Sequence, residues 1–328
     1  MKQYQPREGP PVIWDPKTFK LSQSTMKKFR EYTRGLHCGI IFSEETLLRK
    51  IEEVSGAPQK KGHYFEYKAT GELPPYGDGK TPPKPEYYKK ATSTKDGSRS
   101  FRKGDLKLDW MIPDDQAENF LKYSKEIGIS IVGSGVRMEK GVASGNLDII
   151  AQVPKEKWNE VVGQYWVTEL SGDRLEKDPN APKWESCTWT DPETGETFFG
   201  CIVIDLKFSG LLDDKWNPLS WELEHLSERE SHVIQAKHYH YLSENLPFFF
   251  WVFSSGEDKD SRLIRIKFAP MAIAQHEKEI IKTRTRILSE ARLGFKPRPS
   301  IKRCGNCIYR DVCKHRSLRP RIDVAYFS

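Results

Sequence analysis

The sequence predicts an α/β protein with a mixed central β-sheet flanked by helices, and three observations predict it. Segments with apolar residues at helical spacing lie at both ends of the chain and between its strands. Two pairs of strand-like segments occupy the middle, among them residues 129–139 and 145–153. Residues 198–210 contain a continuous apolar strand of the kind that is buried on both faces of a sheet. Helices are therefore expected to cover the sheet.

The predicted elements follow the order helices, hairpin, buried strand, helix, hairpin, helix. Capping serines, terminal glycines and helical periodicity predict helices at 22–34, 42–56, 62–70, 114–128, 220–244 and 270–294. The second strand pair comprises residues 247–255 and 261–270. We expect one domain over 1–328 with insertions at about 71–110 and 155–197. Within the first insertion, residues 71–105 are rich in Pro, Gly, Lys and Ser, which predicts a long loop.

The composition is that of a soluble globular protein. The chain has 328 residues, of which 37% are hydrophobic and 12% aromatic. It contains no apolar run of about 18 residues, so no membrane span is expected. The first residues lack a secretory apolar segment, and the expected location is the cytoplasm.

The basic residues are concentrated near the end of the chain. The net charge is +7, and residues 296–321 contain nine Lys or Arg residues and one Asp. A local basic excess favours a polyanionic partner. A solvated basic tail is the alternative.

Three acidic residues stand in unusual places. The pattern Asp-x-Lys occurs five times, but only Asp205 ends a strongly apolar strand, Cys201–Ile204. Asp148 lies in another apolar strand, within Gly-Asn-Leu-Asp, and Glu66 lies on an upstream helix. A carboxylate at such a place is costly unless it has a partner, so a metal ion or a paired group is expected nearby.

Converging carboxylates suit hard divalent cations such as Mg²⁺ or Mn²⁺. A bound cation lowers the pKa of its water, and a neighbouring lysine such as Lys207 offsets developing negative charge. Gln235 and Tyr239 lie four residues apart on a predicted helix, so they share one face of it. This is the chemistry of nucleic-acid backbone hydrolysis.

The ordered series of these motifs resembles the RecB-type branch of the PD-(D/E)XK nucleases, over roughly residues 20–315. The resemblance implies a restriction-endonuclease-like core in which Glu66, Asp148, Asp205 and the Leu206 carbonyl bind the metal. It implies that Lys207 positions the attacking water, and that Gln235 and Tyr239 brace the site or touch DNA phosphates. Many relatives have His where this chain has Glu66, so His63 is the alternative first residue. The interval between Asp148 and Asp205 is longer than the family usually has.

Three of the six cysteines have metal-ligand spacing: Cys304-x2-Cys307-x5-Cys313. Thiolates suit a soft metal centre, and four ligands are usual for zinc or a cubane cluster. Cys38 is the favoured fourth ligand and Cys187 the alternative. Cys201 lies in the apolar strand, where a buried structural thiol is expected.

The cysteine pattern is similar to the iron–sulfur staple of AddB-type nuclease domains and CRISPR-associated RecB-like exonucleases. The similarity implies a structural 4Fe-4S cluster that joins the N- and C-terminal parts of the chain, with Zn²⁺ as the alternative. The surrounding cations would then contact DNA phosphates: Arg303, Arg310, Lys314, Arg316 and Arg319. Aromatic residues within 158–189, or Tyr87 and Tyr88, would either stack on unpaired bases or belong to the core.

Together these features predict a metal-dependent DNA exonuclease acting on ends or single strands, in recombination, repair, phage DNA processing or spacer acquisition. The alternatives are an endonuclease of the same fold, or a non-catalytic nucleic-acid-binding protein with a structural metal. The sequence contains no G-x-x-x-x-G-K-[ST] motif, so a helicase or recombination partner would be a separate chain.

Overall fold

The computed structural model of the chain describes residues 4–7, 14–54, 56–73, 82–169, 172–209, 226–244, 246–256, 260–297, 304, 307–309 and 313. The chain divides into two compact units. One is formed by residues 1–55 with 280–328, and the other by residues 56–279. Among the described residues, no helix combines the length and apolar character needed to cross a membrane.

The helices are α1 (Gln23–Thr33), α2 (Gly39–Phe42), α3 (Ala57–Thr70), α4 (Leu108–Ile127), α5 (Lys155–Val161), α6 (Leu226–Leu242) and α7 (Pro270–Leu293). The strands are β1 (Tyr4–Pro6), β2 (Ile51–Glu53), β3 (Thr92–Ser93), β4 (Ser100–Phe101), β5 (Ser130–Lys140), β6 (Ala143–Gln152), β7 (Gln164–Glu169), β8 (Gly172–Lys177), β9 (Thr188–Thr190), β10 (Thr197–Phe199), β11 (Cys201–Ser209), β12 (Phe248–Ser254) and β13 (Ser261–Ile266).

In the first unit, α1 is the predicted helix at 22–34. The Ser22 side chain accepts a hydrogen bond from the Thr25 backbone N–H and caps the helix. Phe29 and Tyr32 are buried, as their helical spacing predicts. Tyr32 also ties together distant parts of the chain, because its hydroxyl donates to Glu290 Oε2 at 3.1 Å.

The predicted helix at 42–56 is wrong. The helix begins earlier, at Gly39, and runs through Ser43 into a π-helical turn over Ser43–Leu47. The chain then forms β2, which pairs antiparallel with β1. Local periodicity could not reveal β2, because its partner strand lies more than forty residues away in the sequence. Gly56, expected to end a helix, is the N-cap of α3.

The second unit is built on a five-stranded mixed sheet with the order β13-β12-β11-β6-β5. β11 and β12 are parallel, and the other neighbours are antiparallel. The predicted hairpin of 129–139 with 145–153 is present as β5 and β6. The second predicted pair is present as β12 and β13. The predicted mixed central sheet is confirmed.

Helices pack on both faces of this sheet. On one face, Phe65 of α3 lies 5.0 Å from Phe253 between ring centroids, and Phe120 of α4 lies 5.1 Å from Trp251. On the other face, Tyr239 of α6 lies 6.1 Å from Phe248. Successive side chains of a strand point to opposite faces, so β12 serves both helical layers and is buried along its whole length.

The two segments predicted to be insertions contain ordered structure. Residues 86–107 form an antiparallel hairpin around β3 and β4 instead of a continuous loop, and 74–81 lie outside the described residues. α4 starts six residues before the predicted position and includes Pro113. Packing of Trp110 on Tyr64, 5.4 Å apart, accompanies this extra turn. Residues 155–199 form α5, two small hairpins and a 3₁₀ turn.

Candidate functional site

Asp205 is the centre of an acidic cluster on β11. Its side chain is fully buried. Gln235 Nε2, on α6, donates a hydrogen bond to Asp205 Oδ1 at 2.6 Å. The Lys207 ammonium forms an ion pair with Asp205 Oδ2. Because a buried carboxylate is costly unless it is paired and hydrogen-bonded, these two contacts explain how the strand tolerates the charge.

Asp148 joins Asp205 through the register of the sheet. Ile149 of β6 pairs with Ile204 of β11, so the antiparallel ladder places Asp148 opposite Asp205 at the next position. Burial raises the pKa of Asp148 well above its usual range, and the nearby Asp205 carboxylate raises it further. Lys207 opposes this shift.

Glu66 reaches the same cluster from α3. Burial raises the pKa of Glu66 to about 7, against an attractive effect of Lys207 and with a smaller repulsion from Asp205. Asp205 and Lys207 of β11 thus both affect the pKa of Glu66, which lies on α3. For the alternative residue, His63, burial lowers the pKa.

Lys207 is the cation of the acidic cluster. Burial alone would lower its pKa, but the pKa lies above its ordinary value because Asp205, Asp148 and Glu66 outweigh that effect. Its Nζ lies 5.7 Å from the centroid of the Phe250 ring. The side chain is 20% exposed. Sequence reasoning missed Phe250, because nothing local separates it from its aromatic neighbours in β12.

The remaining residues predicted for the site lie beside it. Leu206 points away from Asp205 and Lys207, as alternation in a strand requires, and is buried. Tyr239 is buried, with its ring packed against Phe248 in the core beneath α6. Arg303, Arg310, Lys314, Arg316 and Arg319 lie outside the described residues.

Gly145 explains how α6 approaches the acidic strands. A Cβ at Gly145 would lie 2.8 Å from Leu242 Cδ1 and 3.4 Å from a Tyr239 ring carbon. Glycine therefore lets α6 pack directly on β6, three residues before Asp148. This close packing positions Gln235 over Asp205.

A buried histidine pair, which the sequence did not reveal, supports the same contact. His238 Nε2 lies 3.0 Å from the Ser144 carbonyl oxygen, so this nitrogen must donate. His238 Nδ1 is then an acceptor, and His276 Nε2, at 3.4 Å, donates to it. Burial lowers the pKa of His238 to about 4, which favours the neutral form of that side chain. The pair connects α7, α6 and the start of β6.

The cysteines of the predicted metal site approach one another in the first unit. Cys38 is the N-cap of α2, and the Cys307 N–H contacts the Cys304 carbonyl at 3.4 Å. Burial raises the pKa of the Cys307 thiol, and Cys38, Cys304 and Cys313 all raise it further. The predicted ligands Cys38, Cys304, Cys307 and Cys313 all belong to the first unit.

Cys187 and Cys201 belong to the second unit. Both are buried, and the Cys201 N–H donates to the Cys187 carbonyl oxygen at 2.8 Å. Burial raises the pKa of the Cys201 thiol to about 12, which favours an inert, protonated side chain.

Neither group of residues is already spaced for an ion. Among the residues that the structure describes, no three His, Cys, Asp or Glu side chains are set at the spacing of metal ligands. In the acidic cluster, both Asp205 oxygens are engaged, one by Gln235 and one by Lys207. Ion binding there requires Lys207 to move off Asp205.

No family model matches the chain, and no curated protein matches it. Among solved structures, the chain is similar to a protein of Eubacterium rectale named "putative exonuclease". The identity is 16% and the TM-score 0.46, over 96% of this chain and 97% of the other. A second similar structure, SSO0001, has 14% identity and a TM-score of 0.24, over 62% of this chain and 69% of the other. These likenesses are too distant to assign a family.

Proposed function

We propose that this protein is a metal-dependent deoxyribonuclease of the PD-(D/E)XK type that hydrolyses phosphodiester bonds at DNA ends or in single strands. One observation carries the proposal: Asp205 forms an ion pair with Lys207, Asp148 lies at the next position of the same ladder, and the pKa of Glu66 is affected by both Asp205 and Lys207. The charge balance argues against a purely structural network. Three carboxyl groups face one ammonium, so full ionisation leaves an excess of negative charge that a divalent cation would balance.

Glu66, Asp148, Asp205 and the Leu206 carbonyl would hold Mg²⁺ or Mn²⁺. The ion, when bound, would supply a water of lowered pKa and would stabilise negative charge on the phosphodiester. Lys207, kept charged by its acidic neighbours, would orient that water and offset charge on the phosphate oxygens. Gln235 would hold Asp205 in place through its 2.6 Å hydrogen bond. The water oxygen replaces the leaving oxygen at phosphorus, and that oxygen takes up a proton.

The proposal includes a second metal centre at Cys38, Cys304, Cys307 and Cys313. Four thiols are the donor set of a 4Fe-4S cluster, with Zn²⁺ as the alternative. Its role would be structural. We further propose that the basic residues around Cys304–Cys313 contact DNA phosphates, and that any helicase or recombination partner is a separate chain.

The test is digestion of end-labelled single- and double-stranded DNA with Mg²⁺ or Mn²⁺, against EDTA. Wild-type protein should release nucleotides only with the metal. Asp205→Ala and Lys207→Ala should lose cleavage by about two orders of magnitude or more while still binding DNA. Lys17→Ala is the matched control, since Lys17 belongs to another Asp-x-Lys tripeptide, on an exposed turn. Metal-dependent cleavage that survives both cluster substitutions would overturn the proposal.

Circular single-stranded DNA separates the two modes of cutting. An exonuclease leaves covalently closed circles intact and degrades the same DNA after linearisation. Cleavage of the circles would favour the endonuclease alternative with the same residues.

A further inference from the structure

The hairpin that precedes α4 is strongly basic. Residues 82–107, which we call the basic hairpin, include the exposed cations Lys89, Lys90, Lys95, Arg99, Arg102 and Lys103. The hairpin is ordered by backbone pairing: Thr92 pairs with Phe101, and Tyr87 forms a bridge with Leu106. An ordered backbone therefore carries these cations.

The acidic side chains of the basic hairpin are engaged within it. Glu86 forms an ion pair with Lys107 at 2.5 Å. Asp96 accepts hydrogen bonds from the Ser98 backbone and hydroxyl, which shapes the turn. Asp105 accepts from the Arg102 backbone N–H at 2.6 Å. Because these carboxylates are bonded to groups within the hairpin, the outer surface of the hairpin has an excess of positive charge.

Two adjacent tyrosines of the basic hairpin have different environments. Tyr88 stacks on Phe101, with ring centroids 4.6 Å apart and an interplanar angle of 23°. Its neighbour Tyr87, which forms the isolated bridge with Leu106, is 52% exposed. Tyr88 is therefore part of the hairpin's packing, whereas Tyr87 offers an aromatic ring next to Lys89 and Lys90.

The base of the basic hairpin lies beside the helix that carries Glu66. The hairpin leads directly into α4, whose Asp109 pairs with Lys61 of α3 at 2.7 Å and whose Trp110 ring lies 5.4 Å from the Tyr64 ring. Tyr64 and Glu66 are two residues apart on α3, about 200° around the helix axis, so the hairpin approaches a different face of this helix from the one that carries Glu66.

We propose that the basic hairpin binds single-stranded DNA, with its Lys and Arg side chains on phosphates and Tyr87 stacked on an unpaired base. Exposed cations interleaved with an exposed aromatic ring are the features that hold a single strand without reading its sequence. A duplex offers the phosphates but keeps its bases stacked. Stacking on Tyr87 would therefore favour a single strand over a duplex. The inference rests on the proposed function only in that the bound strand would be the one delivered to Glu66, Asp148 and Asp205.

The experiment measures binding without cleavage. Fluorescence anisotropy of a dye-labelled oligothymidine is followed in EDTA over a range of salt concentrations. The variant Lys89→Gln, Lys90→Gln, Lys103→Gln is compared with wild type. The matched control is Lys122→Gln, Lys125→Gln, Lys155→Gln, which removes the same charge from other exposed positions of the second unit.

The hairpin variant should bind on the order of a hundredfold more weakly at about 0.1 M salt, because each lost phosphate contact removes a slope of about 0.7 from the salt dependence. Its slope should therefore fall by about 2, and the control should keep the wild-type slope. Equal weakening in both variants, or none in the hairpin variant, overturns the inference.

Tyr87 is tested separately. Tyr87→Ala should weaken oligothymidine binding about tenfold, Tyr87→Trp should restore it, and binding of a blunt duplex should not change. Equal losses on the single strand and the duplex, or no loss on either, overturn the stacking assignment. Because binding is measured in EDTA, a protein that binds through the hairpin but never cleaves DNA would refute the proposed function and leave the hairpin inference standing. A protein that cleaves DNA but whose DNA binding is unchanged by the hairpin substitutions would refute the hairpin inference and leave the proposed function standing.

Discussion

At the scale of single residues, the acidic cluster is governed by a mismatch between charge and burial. Lys207 compensates one of the three carboxyls, and burial raises the pKa values of Glu66 and Asp148. At moderate pH, bound protons therefore neutralise the carboxyl charge that Lys207 does not compensate. A divalent cation would compete with those protons for the same oxygens, so metal binding should strengthen as pH rises.

Glu66 yields a pH prediction for the metal-free protein. Its folded pKa, about 7, is above the ordinary value of 4.5, so the folded state holds a proton that the unfolded state has released. The free energy of unfolding should therefore fall as pH rises from about 4.5 to about 7. Glu66→Gln should flatten part of this decline. Urea denaturation in EDTA across this pH range measures it.

Glu160→Gln serves as the control for that titration, because Glu160 is 63% exposed. It should keep the wild-type slope. A Glu66→Gln protein with the same pH dependence as wild type would show that this carboxyl is not buried in the cluster. Added Mn²⁺ should stabilise the wild type above pH 7 by mass action.

At the scale of elements, the site depends on how closely α6 approaches β6. Gly145 permits the contact, and the His238–His276 hydrogen bond holds α6 and α7 against the Ser144 carbonyl. Gln235 lies one turn before His238 on α6. The hydrogen bond from Gln235 to Asp205 is thus set by packing some distance from the carboxylates themselves.

Gly145→Ala tests this packing. The new Cβ would meet Leu242 Cδ1 at 2.8 Å in a buried setting, and we expect a loss of about 1–3 kcal/mol of unfolding free energy. Leu242→Val in the same protein should recover part of it by making room. Chemical denaturation of the single and double variants measures the coupling.

The control is Gly62→Ala in α3, where a Cβ would meet nothing within 4 Å. That change should be neutral or slightly stabilising, because alanine is the better helix former. A Gly145→Ala protein as stable as wild type would show that α6 does not press on β6 at this point.

At the scale of the whole molecule, the two ends of the chain belong to one unit. Tyr32 accepts a hydrogen bond from the Lys296 N–H at 3.2 Å, and a Cβ at Gly39 would lie 2.4 Å from the Lys296 carbonyl oxygen. Cys38 directly precedes Gly39, so the early cysteine lies where the chain returns after α7. The proposed cluster would reinforce this closure.

Cys38→Ser tests the cysteine centre. Anaerobically purified wild type should carry about four irons and be brown, with a broad absorbance near 400 nm, roughly the region of iron–thiolate charge transfer. Cys38→Ser should lose most of that metal and lower the midpoint of thermal unfolding. Cys187→Ser, the control, should retain the metal. A colourless wild type with bound zinc would replace iron by the alternative, and full metal retention in Cys38→Ser would remove Cys38 as a ligand.

The sequence by itself determined the elements whose signals are local. The periodicity of α1, the apolar run of β11 and the β5–β6 hairpin all follow from residue spacing, and the packed structure contains them. The same spacing singled out Asp205 among five Asp-x-Lys tripeptides, because only that one ends a buried strand.

Only the tertiary structure decided what depends on contacts between distant residues. β2 forms because β1 pairs with it, α4 extends past Pro113 while Trp110 packs on Tyr64, and Tyr87 differs from Tyr88 because one face of the hairpin is packed. The coupling of Glu66 with Asp148 and Asp205 likewise arises from sheet register and helix packing. Hydrogen bonds and electrostatic attraction join residues that are close in space. The spacing of residues along the chain predicts such contacts only when the partners are also close in the sequence.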